Sequence, residues 1–363
     1  MAHRRVTIDD IARESQASPT TVSLVLRDKP GISVATRQRV LAVARSLGYQ
    51  HRGPVRTGGP TEPLNVALIV RTQLRYGEGG TPNINPFYSW VLAGIESAAR
   101  AREMNLLYAT LTTDDDNRHV DLPSHLLQQA PDGVLLVGAF LPETVRAITA
   151  ARSGPIVLVD AAAGAPGLDA VVTDNHGGAV DAVAHLAGLG HRDIVFLGPP
   201  EGINPNFDQR RAGYRSVLAA HGLGPMEGRI LRNDLDEAIA DVRERFPAAT
   251  AVFAANDRFA SGTIAALERR GLRVPDDVSV MGFDNVDPGA GAVSTLTTMA
   301  VDKGSLGRLA VEALRYRLAW PEASEVTTSL RPRLTHRSSV APPRTDRPDM
   351  TVAVDEGVAA VAG

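Results

Sequence analysis

Three short helix signals packed into the first fifty residues constrain this chain more tightly than any other feature. From Val6 they read VTIDDIARESQASPTTVSLVLRDKPGISVATRQRVLAVARSLGY. Thr7 suits the N-cap of the first helix, and Asp10, three residues on, makes an acidic version of the capping box. Ile8, Ile11 and Ala12 form its apolar stripe. A break follows at Ser15, Gln16 and Ala17. Ser18 then caps a second helix, with Pro19 at the first position, where a missing N–H costs nothing. Val22, Val25 and Leu26 make its inward side. A third helix starts near Ser33 and ends at Gly48, a natural C-terminal glycine, with Val40, Ala44 and Leu47 facing inward. Two short helices joined by a turn of about three residues, then a third, form a helix-turn-helix pattern. A generic three-helix bundle would share the stripes. The outward face of the second helix separates the two readings. Pro19, Thr20, Thr21, Ser23 and Leu24 are small, uncharged or apolar, where a plain solvated face would carry Glu and Lys. Such groups can approach base edges and thymine methyls.

Charge supports an anionic polymer as the partner of this head. Residues 1–59 hold ten Lys and Arg against four Asp and Glu, a net +6, whereas the rest of the 363-residue chain is −9. The chain has no Cys, which excludes disulfides, Cys-ligated zinc and thiol catalysis. No apolar run is long enough for a bilayer, and the start lacks the core of a signal peptide, so the expected setting is cytoplasmic, with no membrane partner. Phosphate-loop, zinc-protease and nucleophile-elbow motifs are all missing. His176, His185 and His191 have no metal-ligand spacing. The reading is therefore of a non-enzyme with no cofactor and no metal. Two rivals, a sugar-processing α/β enzyme and a soluble sugar-binding receptor, leave the basic head unexplained.

Beyond the head, apolar runs alternate with amphipathic stretches. The runs lie at Val66–Val70, Leu106–Tyr108, Val134–Val137, Ile156–Val159, Ile194–Leu197, Ala251–Phe253 and Val278–Val280. Strands alternating with helices imply α/β architecture with parallel sheets, and seven or more units suggest two lobes. Ligands of such sheets bind outside the carboxyl ends of the strands. Asp160, Asp174, Asn256, Asp257 and Asp284 stand at those ends, and Arg210 opens a helix. Together they offer paired donors and acceptors to sugar hydroxyls or a purine edge. Phe87 and Tyr88 offer a flat apolar wall. Strand-end Asp and Asn also cap helices, so for Asp174 and Asp257 capping and ligand contact are both open. Pro-Phe at a helix start also suits core packing, which leaves both readings open for Phe87.

The head motifs, together with NPFY at 85–88, DGVLLVG from Asp132, VVTDNHGGAVDAVAHLAGLGHRDIVFLG from Val171, RRAGY from Arg210, FAANDRFASG from Phe253, VPDDVSVMGFDN from Val274 and LTT at 296–298, resemble the lactose-repressor (LacI/GalR) family of bacterial transcription regulators. The likeness runs in order over roughly residues 6–340. It implies a DNA-binding head at 1–50, a linker at 51–64 and a two-lobe, periplasmic-binding-protein-like body at 65–340. Lobe one is expected near 65–173 and 301–322, lobe two near 174–300 and 323–340, and a loose tail at 341–363. The implied protein is a repressor, a homodimer or dimer of dimers. It would hold a roughly palindromic double-stranded DNA operator and answer to a small effector between the lobes: a sugar, nucleoside or purine. The resemblance assigns DNA contact to Thr7, Ser18, Pro19, Thr20, Thr21, Ser23, Leu24, Arg27, Arg52 and Arg56. It assigns effector contact to Asp160, Arg210, Asn256 and Asp284, with Asp174, Phe87 and Tyr88 beside them.

Two departures stand out. Gln16 replaces the usual turn glycine, at a cost of about 1 kcal/mol if its φ is positive. The linker HRGPVRTGGPTEP has Gly58 where the family's hinge helix carries a leucine. Its Gly and Pro residues oppose a helix by roughly 1 and up to about 3 kcal/mol each.

Overall fold

The computed structural model describes residues 6–26, 32–47, 63–73, 86–114, 116–118, 131–151, 154–161, 167–231, 234–286 and 295–344. The chain divides into two compact units, Met1–Val171 with Gly304–Thr328 and Val172–Lys303 with Ser329–Gly363.

The head comprises α1 (Ile8–Ser15), α2 (Pro19–Leu26) and α3 (Val34–Ser46). Ile11, Val22, Val25 and Val40 are fully buried in its core, so each helix contributes its inward stripe. Leu47, expected inside, packs against this core only partly buried. The turn between α1 and α2 contains Gln16 at φ 52°. The glycine-favouring conformation is therefore kept with a side chain in place, and the Gln16 N–H closes the helix on the Ala12 carbonyl. Arg39 of α3 donates from Nε to the Ser15 carbonyl at 3.0 Å, satisfying an acceptor at the end of α1.

The first unit is built on β1 (Asn65–Gln73), β2 (Asn105–Thr113), β3 (Gly133–Val137), β4 (Ile156–Val159), β5 (Asp169–Thr173) and β11 (Thr327–Leu330), in the order β11-β5-β4-β3-β1-β2. The pairs from β2 through β5 are parallel. β3 and β4 are buried along their whole length, as strands of a parallel sheet covered on both faces must be. Crossovers run through α4 (Pro86–Arg100) and α5 (Pro142–Ala151). α10 (Lys303–Ala319) packs on α4 backbone to backbone, because a Cβ on Gly307 would strike the Val91 carbonyl.

The second unit repeats the scheme with β6 (Ile194–Gly198), β7 (Met226–Arg229), β8 (Ala251–Ala254), β9 (Ser279–Asp284), β10 (Thr297–Ala300) and β12 (Arg333–Thr335), in the order β12-β10-β9-β8-β6-β7. Its helices are α6 (Asn175–Gly188), α7 (Pro205–Ala220), α8 (Leu235–Arg245) and α9 (Asp257–Glu268). Only β12 runs antiparallel to its neighbour among the strand pairs described here.

Two boundaries differ from the sequence expectation. Residues 323–328 belong to the first unit, because β11 extends its sheet: Ala170 N donates to Val326 O at 3.0 Å and Asp174 N to Leu330 O at 2.9 Å. This strand, TTSL, crosses from the first unit into the second at Ser329, alternates exposed and half-buried positions and has no apolar run to announce it. The fold also continues past residue 340. The Ala341 carbonyl accepts from Ser279 Oγ at 3.0 Å and lies 2.9 Å from His191 Nε2. Residues 345–363 lie outside the described residues. Among those described, no helix is long and apolar enough to cross a membrane.

Candidate functional site

In the head, hydrogen bonding separates capping groups from groups that face out. Thr7 and Asp10 form a full capping box. Thr7 N donates to Asp10 Oδ2 at 2.9 Å, and Asp10 N donates to Thr7 Oγ1 at 3.3 Å. Ser18 Oγ accepts from Thr21 N at 3.0 Å and lies 2.8 Å from Thr21 Oγ1. The Thr7, Ser18 and Thr21 hydroxyls thus all work locally at helix starts. Pro19 and Thr20 are exposed, and Ser23 and Leu24 half-buried, on α2. Arg27, Arg52 and Arg56, and the hinge position Gly58, lie outside the described residues.

In the first unit, Tyr88 and Asp160 meet although 72 residues separate them: the Tyr88 hydroxyl donates to Asp160 Oδ2 at 3.1 Å. Both residues are buried. Burial first, and then the Asp160 charge, push the Tyr88 hydroxyl well above its ordinary pKa, so it remains a donor. Phe87 is buried edge-on against Tyr88, with ring centroids 5.1 Å apart, which gives it a packing role. Asp160 has φ 58°, a left-handed conformation that costs a non-glycine residue on the order of 1–3 kcal/mol and collects at functional positions.

The second unit gathers a denser cluster. Arg210 of α7 is buried and donates from Nε to Asn175 Oδ1 at 2.8 Å and from Nη1 to the Ala255 carbonyl at 2.6 Å. Its Nη2 lies 2.9 Å from Asp284 Oδ1. That oxygen has no aligned hydrogen bond, so the contact is an ion pair. The guanidinium also lies 3.7 Å from the Phe283 ring centroid and 5.5 Å from that of Phe207. Asp284 ends β9 at φ 109°, followed by Asn285 at φ 52°, a second strained strand end. Burial raises the Asp284 pKa against the pull of Arg210 and Lys303. Lys303 Nζ donates to the carbonyls of Asp284 and Asn285 at 2.7 and 3.0 Å.

The ambiguous strand-end residues divide. Asp174 caps α6, accepting from Gly177 N at 2.8 Å. Asn256 caps α9, accepting from Phe259 N at 3.0 Å. Each side chain thereby serves its own helix. Asp257, first residue of α9, reaches further: Oδ1 accepts from Thr298 Oγ1 at 2.5 Å and Oδ2 from Val286 N at 2.7 Å. Burial, then the nearby Asp284 charge, push its pKa up to about 7.

Sequence reasoning missed Asn175, Lys303 and Arg71. Asn175 and Lys303 show their importance only through the Arg210–Asp284 pair. Arg71 follows directly on the apolar run Val66–Val70 within β1, and a charge at that strand end was the available signal.

Residues 7–51 match the family described as bacterial regulatory proteins, lacI family, and residues 183–340 match a periplasmic binding protein-like domain. The transcriptional repressor CytR of Escherichia coli K12 is 30% identical over 313 residues, 84% of this chain and 87% of its own length. The ribose operon repressor of Haemophilus influenzae is 28% identical, covering 92% of this chain and 98% of the relative. Among solved structures, a complex of the transcriptional regulator CelR with cellobiose aligns with a TM-score of 0.65 at 26% identity, over 92% of this chain and all of that one.

Proposed function

This chain belongs to the lacI family of bacterial regulatory proteins, and we propose that it is a sequence-specific transcriptional repressor controlled by a small polar effector. One observation carries the reading. A capped α1–turn–α2 unit with an uncharged outer face shares a chain with an α/β body whose strand-end Asp side chains meet buried Tyr and Arg side chains from helices. The reading assigns the head to residues 1–50, a linker to 51–64 and the effector body to 65–340, with no catalytic role.

On DNA, Thr20 and Leu24 are the proposed base readers, with Pro19 and Ser23 beside them. Thr7, Ser18 and Thr21 set the helix starts whose N–H groups approach phosphates. Arg27, Arg52 and Arg56 supply phosphate contacts. A homodimer, or a dimer of dimers, presents two heads to a roughly palindromic operator.

Effector contact is proposed for Tyr88 with Asp160 and for Arg210 with Asp284, each pair taken within its own unit. Asp174 and Asn256 support the site by holding their helix starts, and Phe87 by backing Tyr88. Carboxylates and a guanidinium pair with neighbouring hydroxyls, which favours a sugar over a purine. The names of the ribose operon repressor and of the cellobiose complex point the same way. Effector and operator affinity are linked reciprocally. A DNA-bound regulator of this kind works in the cytoplasm.

Duplex binding across a salt series tests the reading. A dimer making six to ten phosphate contacts gives a log–log slope of about −5 to −9. A slope near zero, or no duplex binding at low salt, overturns it.

A further inference from the structure

Arg71 is a half-buried cation of the first unit with no ion pair among the described residues. It lies near the carboxyl end of β1, paired with Leu111 of β2, on the side of a parallel sheet where ligands bind. Its Nη1 donates to Thr113 Oγ1 at 3.1 Å and to Asn117 Oδ1 at 2.6 Å. Both acceptors are neutral. Its Nε is buried and has no hydrogen-bond partner, and no ion pair neutralises it among the described residues. The Asp160 charge acts on Arg71 from a distance, while its Oδ2 accepts from the Tyr88 hydroxyl and makes no ion pair with the guanidinium.

The chain keeps this cation in place by several independent means. Asn117 holds φ 62° while accepting from Arg71, and its Nδ2 is anchored on the Ala139 carbonyl at 2.8 Å. Gly138, just past the end of β3, has φ 131°, and a Cβ there would stand 2.6 Å from Arg71 Cβ. A side chain at 138 would thus displace the arginine stem. Half-burying a guanidinium against neutral oxygens costs free energy that an opposite charge would recover. In the second unit, by contrast, Arg210 has a carboxylate in direct contact, Asp284 Oδ1 at 2.9 Å.

We propose that the effector carries an anionic group, a carboxylate or a phosphate, and that Arg71 is the residue that selects it. The planar guanidinium fork suits either oxyanion. Asp160 and Tyr88, close by, take hydroxyl groups of the same molecule. The ligand class is then an acidic sugar derivative, such as a uronate, an aldonate or a sugar phosphate. This inference rests on the reading of these strand ends as an effector site.

The experiment is calorimetric titration of the full-length protein with matched pairs: D-glucuronate against D-glucose, D-gluconate against D-sorbitol, and D-ribose 5-phosphate against D-ribose. The expected result is that at least one anion binds more tightly than its neutral partner, with the responding pair distinguishing carboxylate from phosphate. Arg71→Gln should reduce that anion-to-neutral preference about 10–100-fold, the worth of one charge-assisted contact. Asn117→Asp, which keeps Arg71 but gives it an internal counter-ion, should lower the same ratio and guards against misfolding of the first variant. A purely structural Arg71 would weaken both members of a pair equally. Binding of neutral members only, or a preference unchanged in both variants, overturns the anion proposal and leaves the effector reading intact. Silence from all six compounds overturns the anion proposal, and if sugars of other sizes are also silent, the effector reading fails with it.

Discussion

Replacing Asp257 by Asn should flatten the pH dependence of stability between pH 5 and 8. Asp257 is buried, and its two hydrogen bonds, from Thr298 Oγ1 and Val286 N, do not offset the loss of water and the neighbouring Asp284 charge. Its pKa rises from 3.8 to about 7. Because the folded value is the higher one, the native state holds the proton more tightly than the unfolded chain. Its contribution to stability is therefore fully present below pH 3.8 and is lost as pH rises through about 7. At about 1.4 kcal/mol per pH unit, the loss between pH 5 and 7 is roughly 2 kcal/mol, and on the order of 4 kcal/mol over the full range. Asn has the same shape. Its Oδ1 can accept from Val286 N while its Nδ2 donates to Thr298 Oγ1, so both contacts survive and only the charge goes. Urea unfolding of the full chain, followed by circular dichroism at pH 5, 6, 7 and 8, provides the test. The wild type minus variant difference isolates Asp257 from every other titrating group. The expected result is that the variant gains on the wild type by roughly 2 kcal/mol between pH 5 and 7. A constant difference across the series would mean that Asp257 is ionised throughout or equally protonated in both states, and would exclude a raised pKa.

Thr20→Ala and Leu24→Ala should each change sequence preference at one or two operator positions by about 1–3 kcal/mol, measured by binding to a library of single-base operator variants. A uniform loss on every sequence would exclude both as readers. Arg210→Ala should abolish effector response and also destabilise the second unit by about 3–5 kcal/mol, since it strands buried Asp284. Unchanged urea unfolding would contradict the buried pair. The Gly- and Pro-rich segment 51–63 should leave the operator centre without the sharp kink of about 20–90° that an inserted side chain produces. Circular-permutation gel shift on the cognate operator would expose such a kink.

Local chemistry made the head readable from sequence. The Thr7–Asp10 box, Ser18 with Pro19 and the apolar stripes act within four residues of one another, so their consequences need no knowledge of the rest of the chain. The α/β alternation of the body was equally legible, because the central strands are buried on both faces and therefore read as unbroken apolar runs. Edge strands β7, β11 and β12 left no such mark, and the third crossing between units was placed too early as a result. The roles of the strand-end polar groups belong to tertiary structure. Asp174 and Asn256 turn to their own helices, while Asp284 of the same residue class reaches an arginine from a distant helix. Nothing in the identity of an Asp at a strand end distinguishes these outcomes; they depend on which donor the fold brings within 3 Å. Arg71 shows the same limit. Its charge was visible at the end of an apolar run, but the lack of an ion pair among the described residues is a property of its neighbours in space, and those come from β2, from the turn that follows it and from the end of β3.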